Sequence, residues 1–399
     1  MLQKKLIRLA SSIGKNANIQ ARFILWDGQQ LDFGNSATPP VTLHIKDPSF
    51  VHDLLRPSMS KLGEAYVRGK IDFEGKITDI IDLGFSLVRT IETSKLRFLS
   101  RYFPHSRQSD KQSIQFHYDV SNDFYKLWLD PNMVYSCAYF EQGNETLEAA
   151  QLKKIDHILT KIRLQPNQTL LDIGCGWGAL VLRAAQKFQA KCVGITLSEN
   201  QFALAQERVR AAGLQDRIEI RLQDYRDITG QFDRITSVGM FEHVGRKHLV
   251  DYFRIMHALL KDDGIAMNHG ITSVSTDMKD ANLGAGEFID RYIFPNGELP
   301  HVGHAIAAMQ EGGLEVFDVE NLRRHYAQTL AIWANNFETH AAQVQQHIDA
   351  ERYRAWRLYL AGCAYSFKHD QMSIYQLVCH KAGRLGDALP WSRRYMYAQ

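Results

Sequence analysis

Leu171-Asp172-Ile173-Gly174-Cys175-Gly176-Trp177-Gly178 decides the fold. An apolar run that suits a buried strand leads into glycines at alternate positions, and a helical pattern begins at Ala179. Glycine lets such a turn tighten and lets a ligand approach the backbone without a Cβ clash. Outward from the loop the alternation repeats. Strands are expected at 169–173, 192–195, 218–222, 234–238 and 264–268, with helices starting at Ala179, Glu199 and Lys247. Strands alternating with helices predict an α/β, doubly wound parallel sheet. Residues 281–364 are richer in aromatics and helical periodicity, and are expected to cap the carboxyl edge of that sheet.

The chain before the loop reads differently. Residues 21–46 alternate in a strand-like way around an Asp27-Gly28 turn, with Pro39-Pro40 breaking the chain before Val41 to Ile45. A helix follows over 78–97, where Ile80, Ile81, Leu83, Leu87, Val88 and Ile91 approximate one face. The stretch 95–111 is basic and serine-rich, as a linker would be. The expected division is a smaller N-terminal α+β domain over 1–95, a linker over 96–115 and a catalytic domain over 116–399. A length of 399 residues suits one large domain and one smaller one.

Composition narrows the function. Hydrophobic residues make up 45% and charged residues 23%, ordinary values for a globular chain, and a net charge of +3 is too small to suggest a nucleic-acid partner. The first 22 residues carry Lys4, Lys5, Arg8, Lys15 and Arg22 and no acid, with Leu2, Leu6, Leu9 and Ile13 at helical spacing. Such a stripe fits either a helix packed on its own domain or an interfacial helix at a membrane surface. The cysteines, Cys137, Cys175, Cys192, Cys363 and Cys379, show no metal-ligand spacing, so neither a metal nor disulfides are expected. No apolar run approaches the roughly 20 residues that cross a bilayer, and no secretory signal is read, so the expected location is cytoplasmic.

The spacing Gly-x-Gly-x-Gly, with Asp172 just before it, favours S-adenosyl-L-methionine over a dinucleotide, whose loop is Gly-x-Gly-x-x-Gly. An acid there would attract the methionine ammonium. Downstream, Gln223-Asp224-Tyr225 ends the third strand of the set, where Asp224 would accept from the adenine amino group and Tyr225 would stack on the ring. The second strand does not end in the acid that usually holds ribose hydroxyls. Gln201, one turn into the next helix, is the candidate substitute, the alternative being an exposed helix glutamine.

Several separate motifs, in order, resemble the cyclopropane-fatty-acyl-phospholipid synthase family of class I methyltransferases. The longest is HYDVSNDFYKLWLDPNMVYSCAYF, from His117 to Phe140. Others are LQDYRD from Leu222, FDRITSVGMFEHVG from Phe232 and IFPNGELP from Ile293. Gly63-Glu64-Ala65-Tyr66 resembles the smaller domain of the bacterial phospholipid-acting members, whereas 273–288 departs from the family pattern.

The resemblance implies a Rossmann-like catalytic domain with a helical cap. It implies that Tyr135 and Ser136 contact the amino-acid end of the cofactor and that Gly174, Gly176, Thr196 and Gln201 line the rest. It further implies a bicarbonate ion held by Cys137, Glu242, His269, Tyr326 and the backbone at Ile271, and it matches Cys363 to another family cysteine, for which a small buried hydrophobe is the alternative role. The implied partner is the acyl chain of membrane phospholipids, reached by peripheral association with the inner face, and the implied assembly is a homodimer.

The implied chemistry makes physical demands. An isolated alkene is a poor nucleophile, so its methylation needs an aligned sulfonium in a dry pocket. The resulting carbocation would be attracted to aromatic faces, for which Tyr139, Phe140, Phe241, Tyr292, Tyr326 and Trp333 are candidates. Ring closure then needs a base, and a carboxylate placed directly beside a cation risks ester formation. Rival readings are an N-methyltransferase on the same scaffold, a relative that gives a branched chain, and a lipid-binding protein with an inactive methyltransferase fold.

Overall fold

The computed structural model describes residues 19–55, 57–92, 120–276, 283–295, 297–384 and 389–397. The basic stripe from Leu2 to Lys15, the linker and the His117 end of the longest motif lie outside the described residues. Arg22, counted with that stripe, instead lies in a strand, where its Nε donates to Asp32 at 2.7 Å.

The N-terminal domain is built on a sheet of β1 (Ala21–Ile24), β2 (Gln30–Phe33), β3 (Val41–Ile45) and β4 (Ile71–Gly75), in the order β2-β1-β3-β4. Gly28, at φ 83°, makes the turn between β1 and β2 that the Asp27-Gly28 signal suggests. Burial alternates along β1 and β3, so one face of the sheet carries Phe23 and Leu43 into a core with Phe50, Leu54, Tyr66 and Ile80. Helices Met59–Val67 and Ile77–Glu92 cover that face.

The catalytic sheet consists of β5 (Thr169–Ile173), β6 (Lys191–Thr196), β7 (Ile218–Leu222), β8 (Phe232–Val238), β9 (Leu260–Ser273), β10 (Leu314–Asn321) and β11 (Met372–Lys381). Their order is β10-β11-β9-β8-β5-β6-β7. Strand β5 has β6 on one side and β8 on the other, all parallel, so the chain reverses direction across the sheet there. That reversal opens a crevice at the strands' carboxyl ends, the usual ligand position in such sheets.

Two expectations need correction. The sheet is mixed rather than all parallel, because β11 runs antiparallel to both β9 and β10. The stretch 281–364, expected to cap the sheet's carboxyl edge, contains the strand β10, and β11 itself gave no separate strand signal. The cap proper is the pair of packed helices Arg323–Thr339 and Ala350–Lys368, inserted between β10 and β11. Their inner faces join Phe124, Trp128, Trp333 and Trp356 in one aromatic core.

The helix Ala350–Lys368 also closes the seam with the N-terminal domain. Arg357 donates to both oxygens of Glu338, at 2.7 and 2.8 Å, and to the Tyr66 hydroxyl at 2.8 Å. Arg354 donates to the Tyr66 carbonyl at 2.9 Å and to Asp72 at 3.3 Å, and Phe85 stacks on Tyr365 at 4.3 Å. Gly63 lacks a side chain because a Cβ there would lie 2.7 Å from the Phe288 ring. Gly63-Glu64-Ala65-Tyr66 therefore lies in the surface by which the small domain meets the large one. Arg357→Leu leaves the Tyr66 hydroxyl and the partly buried Glu338 without this donor, so it should cost about 1–3 kcal/mol in urea unfolding. A midpoint equal to wild type would show that the seam does not depend on Arg357.

Candidate active site

The glycine loop leaves β5 at the crevice with Gly174, Gly176 and Gly178 at φ 81°, 54° and 83°, a conformation that side chains resist. The backbone turns back so tightly that the Gly174 and Cys175 N–H groups both reach the Ile195 carbonyl on β6, at 3.0 and 2.9 Å. Around the loop lies a cavity of about 990 Å³. Tyr135, Ser136, Gly174, Gly176, Thr196, Gln201 and Tyr225 all line it, as the sequence suggests. Gln201 is buried rather than exposed, and its Oε1 accepts from the Thr196 hydroxyl at 2.8 Å. Asp224 is placed differently from its neighbours Gln223 and Tyr225, which line the cavity. Its carboxylate accepts from Arg226 Nε and Nη2, at 2.9 and 2.6 Å.

Two buried charges face the same cavity. Asp172 accepts from the Thr236 hydroxyl at 2.7 Å, and burial raises its pKa to about 6. Lys154 donates to the Ser136 hydroxyl at 2.7 Å, and burial lowers its pKa to about 8. Sequence reasoning missed Lys154, although a signal existed. In the helix Leu147–Lys161 it shares the stripe of Leu147, Ala150, Gln151, Ile155 and Ile158, all buried, so the spacing alone turns this lysine inward.

A second cluster adjoins the first. After β8 the chain turns into Phe241-Glu242-His243, which lies against β9 so closely that a Cβ on Gly270 would sit 1.9 Å from the Phe241 ring. Gly270 is what lets Glu242 reach β9, where its Oε1 accepts from the Ile271 N–H at 2.7 Å. The Ile271 backbone, assigned by resemblance to an ion, thus orients the carboxylate through its N–H. Glu242 Oε2 is buried and has no hydrogen-bond partner among the described residues. Burial, which the Ile271 bond only partly offsets, raises the Glu242 pKa to about 7.

His269 lies two residues before Ile271 on β9. Its Nδ1 is 3.2 Å from Gln376 Nε2, opposite it on β11. An amide nitrogen can only donate, so Nδ1 accepts and the ring proton sits on Nε2. That Nε2–H is also buried without a partner among the described residues, and burial holds the imidazole neutral by lowering its pKa well below the usual value. Gln376 was not anticipated, since nothing in the sequence shows which residue of an unrecognised strand faces His269.

Tyr326 comes from the cap, within electrostatic reach of Cys137, Cys363 and Glu242. Its hydroxyl is held protonated by burial. The Cys137 segment is tied to the same helix by Thr329, whose hydroxyl accepts from the Ala138 N–H at 3.1 Å. Burial pushes the Cys137 thiol up as well, so it stays protonated, with carbonyls of Ala138 and Leu322 at 3.2 and 3.8 Å. Trp333 meets Tyr326 edge to face at 6.0 Å and lies 5.3 Å from Tyr135. Tyr139 is instead stacked between His157 and His325, at 4.5 and 4.8 Å. Cys363 lines a separate apolar cavity, and burial raises its thiol to about 12. Among the described residues no cluster of His, Cys, Asp or Glu is placed to hold a metal ion.

Comparison with known proteins gives this geometry its context. The family model described as mycolic acid cyclopropane synthetase matches residues 105–377. The chain belongs to that family. A second model, described as a domain of unknown function, matches residues 9–95. A probable fatty acid methyltransferase of Pseudomonas putida is 44% identical over 96% of this chain and 98% of its own. The cyclopropane-fatty-acyl-phospholipid synthase of Escherichia coli is 35% identical over 86% of this chain and 88% of its own. Among solved structures, mycolic acid cyclopropane synthase CmaA1 complexed with SAH and CTAB aligns with a TM-score of 0.66 at 36% identity, covering 68% of this chain and 98% of that one. Members of this family are S-adenosylmethionine-dependent methyltransferases, and so is this chain. The cavity at the glycine loop is the site that fits the cofactor.

The Phe241–Gly270 contact yields a direct test. Gly270→Ala should destabilise the protein by about 1–3 kcal/mol through overpacking and should lower turnover by moving Glu242 off Ile271. Urea unfolding and a methyl-transfer assay check both, and unchanged values would show that Phe241 yields easily.

Proposed function

We propose that the protein transfers the methyl group of S-adenosylmethionine to a cis double bond of a phospholipid acyl chain and then closes a cyclopropane ring with the help of bicarbonate. The observations that carry the reading are two buried groups on neighbouring elements, the acceptor Glu242 Oε2 and the donor His269 Nε2–H, each without a protein partner among the described residues. An anion with one hydroxyl matches that pair. Bicarbonate, when bound, supplies the base for ring closure. The relatives that bear names of cyclopropane synthases support the same reading.

The chain's own residues have separable parts in it. Tyr135, Ser136 and Lys154 hold the amino-acid end of the methyl donor, while Thr196, Gln201 and Tyr225 hold the nucleoside. The alkene π pair attacks the methyl carbon as the carbon–sulfur bond breaks, leaving S-adenosylhomocysteine and a carbocation. The rings of Tyr326 and Trp333 face the developing charge. Loss of a proton from the new methyl group then frees the pair that closes the ring. Glu242 holds that proton at Oε2, and His269, kept in one tautomer by Gln376, donates from Nε2. Tyr326 and Cys137 remain protonated donors. No described helix is long and apolar enough to cross a membrane, so this reading requires peripheral contact. The basic stripe at 1–15 is the candidate for it.

A second reading rests on the name of the Pseudomonas putida relative, a methyltransferase with no ring in its description. Lipid mass spectrometry after expression in a host without cyclopropane lipids separates the two. Ring closure adds CH2 and removes the double bond, whereas a methyl-branched saturated chain adds CH4 and a methylene-branched chain adds CH2 but retains a double bond. Bicarbonate dependence gives a further check. Turnover should fall when carbon dioxide is stripped from the buffer and return on adding bicarbonate, and a rate indifferent to thorough degassing would remove the ion from the mechanism.

Glu242 also sets the expected pH dependence. With its pKa raised to about 7, the carboxyl is protonated and unable to accept at pH 6 but ionised at pH 8. The kcat/KM profile should therefore fall on the acid side with a midpoint near 7. Glu242→Gln should bind S-adenosylhomocysteine normally, lose about 10²–10⁴-fold in turnover, and lack that acid limb. Near-wild-type turnover in this variant would exclude Glu242 as the proton acceptor.

A further inference from the structure

At the seam of the two domains lies a second cavity, of about 860 Å³ with its open mouth included. It is walled from the N-terminal domain by residues such as Leu43, Ile71 and Leu87, and from the catalytic domain by Phe288, Cys363 and their neighbours. Every lining side chain is hydrocarbon, sulfur or glycine except Tyr359 and Ser366. Both of those hydroxyls are engaged: Ser366 donates to Gln371 at 3.1 Å, and Tyr359 is hydrogen-bonded to the Tyr135 hydroxyl at 3.2 Å. The second bond also fixes the cavity's position, since Tyr135 lines the cofactor cavity. The apolar space thus begins one tyrosine pair away from the methyl donor.

Two glycines face this space from inside helices, where glycine weakens the helix relative to alanine. Gly84 lies in the helix Ile77–Glu92 of the small domain, and Gly362 lies in the helix Ala350–Lys368 of the cap. Neither has a positive φ. A Cβ at Gly362 would meet nothing within 4 Å, and one at Gly84 would meet only the flexible end of Met59, at 3.5 Å. Gly63, by contrast, is required by the contact with Phe288 described above. Neither backbone conformation nor close packing calls for Gly84 and Gly362. What their missing side chains provide is room in the cavity.

We propose that Gly84 and Gly362 set how much of the substrate's acyl chain fits into this cavity beyond the reacting double bond. The N-terminal domain then supplies one wall of a chain-length gauge. The inference rests on the acyl-chain reading given above. An aliphatic chain is the occupant that suits an apolar wall next to the cofactor cavity, because each methylene buried there strengthens binding about fourfold.

Gly362→Leu and Gly84→Leu fill the space from opposite sides without touching cofactor or proton acceptor. Saturated straight-chain fatty acids of two lengths, decanoic and octadecanoic, serve as probes in calorimetry with the full-length protein. Each variant should bind decanoic acid and S-adenosylhomocysteine as wild type does, but lose roughly 10- to 100-fold for octadecanoic acid, the effect of excluding two or three methylenes. Equal octadecanoic acid affinity in wild type and both variants, or equal losses for both acids, overturns the proposal. If a leucine variant does not fold, Met59→Ala provides the opposite change and should favour the longer acid over the shorter one. An unchanged ratio would overturn the proposal as well. Chain-length-dependent binding in a wild type that methylates no lipid would overturn the reaction proposed above and leave the gauge standing.

Discussion

A carboxylate removed from water must find a partner or a proton, and the centre of this molecule is organised around that constraint at Glu242. One oxygen is satisfied by the Ile271 N–H, and the other is buried with none of the described protein groups bonded to it. The single bond is enough to fix the carboxyl's direction but not enough to keep its pKa in the ordinary range. Fixing the direction requires the strand to come within reach, which requires Phe241 to lie against it where only a glycine, Gly270, leaves room. His269 and its tautomer follow from the same strand pairing, through Gln376 on β11.

The cofactor side obeys the complementary rule. Asp172 and Lys154 are opposite charges buried at one cavity, each with a single neutral hydroxyl partner, and each pKa is displaced toward neutrality by burial. A ligand end that carries both an ammonium and a carboxylate restores to each what burial removed. Preorganised charge of this kind favours one orientation of the amino-acid end and thereby fixes where the sulfonium methyl points. The two clusters are joined by the segment Tyr135-Ser136-Cys137, whose first two residues face the cofactor and whose third faces Tyr326.

Legibility in the sequence followed locality. The loop at Gly174, the strands β5 to β9 and the Asp27-Gly28 turn rest on short-range patterns, and each could be read from neighbouring residues. Strands β10 and β11 could not, because no glycine loop or strand–helix alternation marks them out locally. Leu314–Asn321 lies in a polar, weakly alternating stretch between helices. Among site residues, those within a dense motif were found, while Lys154 and Gln376 were missed because their roles arise from what faces them across helix and sheet. Asp224 stands apart from its neighbours in the motif, because Arg226, two residues on, engages its carboxylate.

The seam between the domains draws these strands of reasoning together. Tyr66 accepts from Arg354 at its carbonyl and from Arg357 at its hydroxyl, and both arginines lie on the helix that also carries Tyr359, Gly362 and Cys363. A turn of that helix therefore cannot shift toward the small domain without moving the wall of the apolar cavity. Through Tyr359 it would also disturb Tyr135 at the methyl donor. A rigid seam serves a reaction in which one alkene carbon must sit in line with a sulfonium, because the position of a flexible chain is defined only as well as the walls that hold its far end. The small domain thereby bears on the chemistry without contributing a reactive group. Its attachment through partly buried, charge-assisted bonds, rather than through apolar contact alone, keeps the two walls in one register.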